Sequence, residues 1–252
     1  VVSMVVLSIS SERMTWAAGI FRNSGDFGEA FEDDAEMGEW DFTARLTGLP
    51  WWEEEGNRLL HLGAGFSHRS FEQGDTFRFR SRGSRSTGGR LVDTGAFAAD
   101  DLDLFGAEAA INLDALSVQS EYMYADVNAD DSPAIDSGGG IHAFYIQAGY
   151  FLTGESRPYK TSGGVFSRVK PKRNFSLRDG GPGAWELALR YSWLDLDDIM
   201  DTGQLDDIVI GLNWYLNPNA RMMFDYNHSE AGGGAYDDED ADVFALRLQV
   251  DF

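Results

Sequence analysis

The 252-residue chain contains no cysteine, which excludes disulfide scaffolds, thiolate metal sites and cysteine nucleophiles. Its 20 basic residues are outnumbered by 42 acidic ones, so the formal charge is −22. Because a nucleic-acid-binding protein needs a basic surface, we expect no nucleic acid partner. The sequence also lacks the roughly 18 consecutive apolar residues of a transmembrane helix. The pattern of a signal peptide is missing as well, and we expect any such peptide to have been removed.

Catalytic chemistry has little support in the sequence. There are four histidines, and the best candidate for a catalytic group is His228 beside Ser229 and Glu230. No serine stands in a nucleophile-elbow motif with a histidine. The acidic clusters lack the spacing of an EF-hand loop, so we interpret them as a solvated outer surface. We therefore expect no enzyme, no cofactor and no metal ligands, while calcium bridging to lipopolysaccharide stays an open alternative.

What the sequence does contain is hydrophobicity of period two. Between residues 184 and 194, Trp185, Leu187 and Leu189 alternate with Glu186 and Arg190. This alternation predicts β-strands with one apolar and one polar face. At about 9–11 residues the segments could span a membrane when tilted. About eleven segments are predicted: 1–9, 14–22, 40–49, 59–68, 105–113, 116–125, 143–151, 184–194, 208–216, 222–226 and 244–252.

Connections between these segments alternate in length, which is typical of an outer-membrane barrel. The short ones are residues 10–12, 50–57, 114 and 218–219. The long ones are acidic or rich in glycine: 23–38, 72–102, 126–140, 195–207 and 230–241. Residues 155–183 form a long basic turn where a short one is expected. We predict an all-β fold, an antiparallel transmembrane β-barrel, with a soluble acidic β-sandwich as the alternative.

Basic residues are concentrated in two segments, and the first contains Arg78, Arg80 and Arg82. These arginines share one face of an extended chain at a spacing of roughly 6–7 Å, so an anion could pass from one to the next. A solvated hairpin edge is the alternative interpretation. The second segment includes residues 170–173, which could meet peptidoglycan or anionic headgroups.

Several separated motifs resemble the phosphate-selective porins O and P. The resemblance covers most of the chain and rests on residues 15–22, 77–82, 157–159, 169–173, 183–192, 211–219 and 245–252. It implies a trimeric, sixteen-stranded, anion-selective channel of the bacterial outer membrane. About the last eleven strands would come from this chain, as a single β-barrel domain over residues 1–252. The missing N-terminal strands would come from the same or another polypeptide.

The resemblance also implies functional residues. It places the 72–102 loop inside the lumen and allows the 155–183 turn to fold inward. The expected anion path consists of Arg78, Arg80, Arg82, Arg85, Lys170, Lys172 and Arg173. Phe252, which closes the last alternating strand, is interpreted as the assembly signal of outer-membrane barrels.

The expected function is therefore passive diffusion of anions, with phosphate or phosphorylated solutes as the substrate class that the resemblance implies. Small anions, outer-membrane lipid, lipopolysaccharide and two further copies of the chain are the expected partners. Two other functions stay open. The barrel could be a structural or surface-binding protein with little solute flux, or a weakly selective general porin.

Overall fold

The structure is a computed structural model, and the residues that it describes cover most of the chain. They are residues 4–10, 13–22, 40–71, 76–84, 89–128, 139–200, 202–233 and 239–251.

One antiparallel sheet of eleven strands dominates the fold, and each strand pairs with the next one in the chain. The strands are β1 (Met4–Ser10), β2 (Met14–Arg22), β3 (Trp40–Glu53), β4 (Arg58–Ser70), β5 (Asp101–Leu113), β6 (Leu116–Asn128), β7 (Gly140–Phe151), β8 (Ala184–Asp195), β9 (Gln204–Asn217), β10 (Ala220–Gly232) and β11 (Glu239–Val250). The predicted all-β antiparallel class is confirmed. Among the described residues no pairing joins β1 to β11, and the total of sixteen strands stays a prediction.

The two faces of the sheet differ in chemistry as the sequence predicts. On β8, Leu187 and Leu189 are 47% and 53% exposed, whereas Glu186 on the same strand is buried. The exposed face continues on β11 with Phe244 and Leu246. We call the side that carries Leu187 the apolar face and the side that carries Glu186 the polar face. A soluble sandwich buries its apolar faces against a second sheet, so this arrangement favours a sheet whose apolar face meets lipid.

Several strands extend into stretches that we predicted as loops. Asp206 and Asp207 belong to β9 rather than to a 195–207 loop, and β11 begins at Glu239, inside the predicted 230–241 loop. Tyrosines on neighbouring strands stabilise acidic residues at these strand ends. Tyr191 donates a hydrogen bond to Asp206, and Tyr226 donates one to Asp242. Similarly, Pro50 lies in β3 beside a register shift instead of in a turn. A bulge tolerates proline because its missing N–H leaves no ladder bond broken.

The described short connections are tight turns. Asp114 between β5 and β6 has a φ of 57°, a left-handed conformation that aspartate tolerates. Between β9 and β10 the amide of Asn219 donates to the side chain of Asn217 over 2.8 Å. Helices are short: the 3-10 turns Glu54–Gly56 and Thr161–Gly163 and the α-helix Asp197–Met200. None of the helices in the described ranges is long and apolar enough to cross a membrane.

Two longer connections contact the polar face from opposite ends of the strands. The connection between β4 and β5, residues 71–100, is called here the arginine loop. It packs Leu91, Val92 and Phe97 against apolar residues near the long-connection ends of β5 to β10. The basic turn, residues 155–183, contributes Val169 to a second cluster with Phe151 on β7.

Candidate functional site

The arginine loop has an amphipathic extended segment at residues 76–82. Phe77 and Phe79 pack against Phe97, with ring centroids 6.3 and 6.5 Å away, while Arg78 and Arg80 are exposed. Two-residue strand pairs, Thr76–Phe77 with Phe97–Ala98 and Arg80–Ser81 with Val92–Asp93, hold the segment extended. Side chains on an extended chain alternate between its two sides. Burial of the phenylalanines therefore fixes which way the arginines face.

Asp93 pairs with the first arginine of this segment. The Nε and NH2 groups of Arg78 donate to the two carboxylate oxygens of Asp93 over 2.6 and 2.5 Å. This fork-to-fork geometry is the strong form of a charge-assisted hydrogen bond. The Arg78 hydrogen bond holds the pKa of Asp93 below its usual range. The pair is consequently intact at neutral pH and is lost when the pH falls through that lowered pKa.

A fourth arginine joins the segment from the returning strand of the loop. Burial lowers the pKa of Arg90, and the positive charges of Arg82 and Arg80 lower it further. Arg90 is not among the residues of the anion path that the sequence predicts. Arg90 comes close to Arg80 and Arg82 because a short hairpin pairs residues 80–81 with 92–93. An anion bound among these guanidinium groups would reduce their mutual repulsion.

Asp207 on β9 anchors the arginine loop at Ser84. The backbone N–H of Ser84 donates to Asp207 Oδ1 over 3.2 Å, and the Ser84 hydroxyl donates to the other carboxylate oxygen. Asn227 and Ser229 on β10 also donate to Oδ1, over 3.0 and 2.5 Å. Asp207 is 2% exposed. Between β5 and β9 lie three strands, so the loop crosses the polar face to reach this carboxylate.

Gly83 occupies the tightest point of that anchor. Its φ is 67°, and a Cβ atom there would lie 2.6 Å from Asp207 Oδ1 and 2.7 Å from Ser229 Oγ. Gly95 in the same loop has a similar φ of 70° but nothing within 4 Å of the corresponding position. An alanine would therefore be strained at both positions, whereas of the two glycines only Gly83 lies close to the sheet.

Gly83→Ala is expected to destabilise the protein more than Gly95→Ala. Both variants carry the cost of a left-handed alanine, about 1–2 kcal/mol. Only Gly83→Ala adds steric overlap in a packed site, about 1–3 kcal/mol. Urea unfolding of the lipid-reconstituted protein measures the difference. Equal losses in the two variants would contradict the anchoring role of Gly83.

The basic turn enters the polar face at the short-connection end. Asn112 on β5 donates to the carbonyl of Arg157 over 2.8 Å, and Arg157 donates to Gln119 on β6 over 2.9 Å. Tyr159 and His61 share a 2.6 Å hydrogen bond. Arg45 on β3 donates to the carbonyl of Gly164 over 3.2 Å. From its roots on β7 and β8, the turn therefore extends over three strands to β3.

Arg157 is a functional candidate that the sequence analysis did not place in the anion path. Burial lowers the pKa of its guanidinium, which stacks 4.2 Å from the centroid of the Phe166 ring. In the described ranges no carboxylate oxygen lies within 4.0 Å of its nitrogens. Arg157 lines two cavities of about 240 and 200 Å³. Its signals in the sequence are the second basic segment and the 157–159 motif of the family resemblance.

The cluster at residues 170–173 lies in the same basic turn, directly after Val169. Lys170, Lys172 and Arg173 are all exposed. Lys172 Nζ donates to the carbonyl of Gly154 over 2.5 Å, and Arg173 donates to the carbonyl of Asp179 over 2.9 Å. These bonds satisfy donors without neutralising charge, because carbonyls are their acceptors. The cluster therefore remains net positive.

Beyond this cluster the turn passes to the apolar face. The Phe175 ring lies 4.8 Å from Trp214, which stacks on Trp185 at the same centroid distance. The indole nitrogens of both tryptophans donate to the carbonyl of Pro182. Tryptophans at strand ends are typical of the interfacial belt of a membrane barrel.

The predicted anion-path residues thus fall into two groups that the structure does not bring together. Arg78, Arg80 and Arg82 belong to the long-connection end, and the lysine cluster belongs to the short-connection end. Arg85 and Phe252 lie outside the described residues. The polar face between the groups holds a neutralised pair, Arg45 and Glu108, whose Nη2 and Oε1 atoms are 2.6 Å apart.

Comparison with known proteins places these features in a family. The family model described as phosphate-selective porin O and P matches residues 3–252. Porin O of Pseudomonas aeruginosa is 30% identical over 230 residues, which cover 79% of this chain and 50% of that protein. An uncharacterized protein of Caulobacter vibrioides is 27% identical over 261 residues, with 98% and 51% coverage. The chain spans about half the length of these curated relatives, and it belongs to the phosphate-selective porin O and P family.

Proposed function

We propose that this chain forms part of an outer-membrane channel through which anions diffuse passively. The observation that carries the proposal is the arginine segment at residues 78–82, in which Arg78 and Arg80 are exposed and packed phenylalanines hold the segment over the polar face. In a low-dielectric passage, basic side chains raise the local anion concentration. Successive weak sites allow an ion to enter and leave, so no covalent chemistry is required.

The proposed path has two basic regions, and its order follows from their places on the strands. The first is the arginine segment with Arg85 and Arg90 at the long-connection end. The second comprises Arg157 and the Lys170, Lys172 and Arg173 cluster at the other end. Arginine forks suit phosphate well, and the family description favours phosphate as the substrate class. A homotrimer in contact with outer-membrane lipid and lipopolysaccharide completes the proposal.

A triple substitution tests the first region. Arg78→Ala, Arg80→Ala and Arg82→Ala together are expected to lower the preference for anions and to weaken phosphate block of the chloride current. Losing contacts worth about 1 kcal/mol each would weaken block by about 100-fold. The measurement is the reversal potential in a planar bilayer under a KCl gradient, followed by phosphate titration.

The matched control keeps the charge and changes the geometry. Lysine at the same three positions should retain the preference for chloride over potassium but bind phosphate more weakly, because lysine lacks the planar fork. Unchanged selectivity in the alanine variant would refute the arginine path. Cation preference in the unmodified protein would show that the acidic surface governs permeation, and absence of a current would favour the structural role.

A further inference from the structure

Two hairpins carry the same arrangement of three side chains on the apolar face. His68 on β4 lies directly opposite Asp103 on β5, and Asp101 stands two residues before Asp103. On the last strand pair, His228 on β10 lies opposite Asp242 on β11, and Asp240 stands two residues before Asp242. Both groups are at the long-connection ends of their strands. Neither is part of the arginine loop or of the basic turn.

The atoms of each group are close enough to share one ion. His68 Nδ1 is 2.8 Å from Asp103 Oδ1, and His228 Nδ1 is 2.9 Å from Asp242 Oδ1. Within each group the three candidate ligand atoms lie within 4.8 Å of one another. Tetrahedral coordination with bonds of about 2.0–2.2 Å needs ligand atoms about 3–3.6 Å apart. Small side-chain rotations therefore suffice to close either group around a metal.

Neighbouring groups orient the ligands as they do in metal sites. Asn128 donates to Asp101 Oδ2 over 3.2 Å, and the Ser70 hydroxyl lies 3.2 Å from His68 Nε2. Around the second group, Tyr226 donates to Asp242 over 2.8 Å. Hydrogen bonds of this kind fix ring orientation and raise ligand basicity. The side chains of His68 and Asp103 are also half-buried, which limits competition from water.

The donor set points to a class of ion. One imidazole nitrogen and two carboxylate oxygens suit zinc and its first-row neighbours, whereas calcium and magnesium prefer oxygen alone. Three protein ligands leave a fourth position for water or for another anionic group. The two carboxylates also supply the negative charge that a divalent cation needs.

We propose that His68, Asp101 and Asp103 form a binding site for a divalent transition metal, and that His228, Asp240 and Asp242 form a second site of the same design. The inference is independent of ion permeation, because both groups lie on the apolar face. It differs from the expectation of a purely solvated acidic surface, since that surface would have no requirement for histidine.

Zinc titration of the chelator-treated protein in detergent, with magnesium in excess, tests the proposal. We expect two saturable zinc equivalents per chain by calorimetry. His68→Ala should remove one of them, with at least about a tenfold weaker association at that site. His68→Ala with His228→Ala should remove both. Cobalt substitution should give visible absorption bands that the double variant lacks.

His142→Ala is the matched control. His142 occupies the long-connection end of β7, but its Nδ1 is 2.6 Å from the Tyr122 hydroxyl, and among the described residues the nearest carboxylate oxygen, on Asp198, is 3.9 Å from Nε2. This variant should keep both zinc equivalents. Asp101→Asn, which preserves size, should weaken the first site without affecting folding, as judged by heat-modified migration on gels. No saturable binding, or binding that survives in the double histidine variant, would overturn the proposal.

Discussion

Replacing Asp207 with alanine is expected to release the arginine loop and to reduce phosphate block more than any single arginine substitution. The carboxylate accepts hydrogen bonds from Ser84, Asn227 and Ser229 in a fully buried setting. Alanine would leave these donors without their acceptor. Because bonds to a charged group contribute about 1.5–3 kcal/mol each and are partly shared here, we expect a loss of about 3–5 kcal/mol in the free energy of unfolding.

The neighbouring residue provides the control for this variant. Asp206 lies on the same strand but on the apolar face, where Tyr191 donates to it over 2.5 Å. Asp206→Ala should cost about 1–2 kcal/mol and leave phosphate block unchanged. Urea unfolding in lipid and phosphate titration in planar bilayers give the two readouts. If both variants alter block equally, the carboxylate acts through overall charge and does not position the loop.

The second large effect is expected from Asn112→Leu, which removes the main donor that docks the basic turn. Asn112 is fully buried and donates to the carbonyls of Arg157 and Gly56, over 2.8 and 3.2 Å. Leucine has a similar volume but no donor. Two buried carbonyls would lose their partner at about 1–3 kcal/mol each, so we expect a total loss of about 2–5 kcal/mol.

The functional consequence of this variant follows from where the turn lies. An undocked turn no longer narrows the passage along the polar face, so single-channel conductance in KCl should rise. Asn128→Leu is the control, since Asn128 is exposed and bonds to Asp101 instead of the turn. It should change neither conductance nor stability appreciably. A conductance that stays constant in Asn112→Leu would show that the turn does not limit the current.

The two inward connections share one physical design. Each buries an apolar side against the sheet, through Phe77 and Phe79 in the arginine loop and through Val169 in the basic turn. A buried polar residue of the sheet then anchors each connection, Asp207 for the loop and Asn112 for the turn. A buried polar group is costly unless it is paired, so each anchor specifies one docked position.

Local chemistry was sufficient to predict the strands and their faces. Alternation such as Leu187, Leu189 and Glu186 depends only on the two-residue repeat of a strand, which any sequence window reveals. The same reasoning placed Arg78, Arg80 and Arg82 on one side of an extended segment. It made the strands too short at their acidic ends, because the tyrosines that donate hydrogen bonds to Asp206 and Asp242 come from neighbouring strands.

The sequence by itself therefore determined the all-β class, the apolar and polar faces and the two basic segments, since these are properties of neighbouring residues. Tertiary structure alone decided that Asp207 holds Ser84, which is 123 residues away in the chain, and that Arg157 enters the polar face beside Asn112. It alone also brought His68 to Asp101 and Asp103. Contacts between distant residues depend on strand order and register, and no local pattern of residues encodes them.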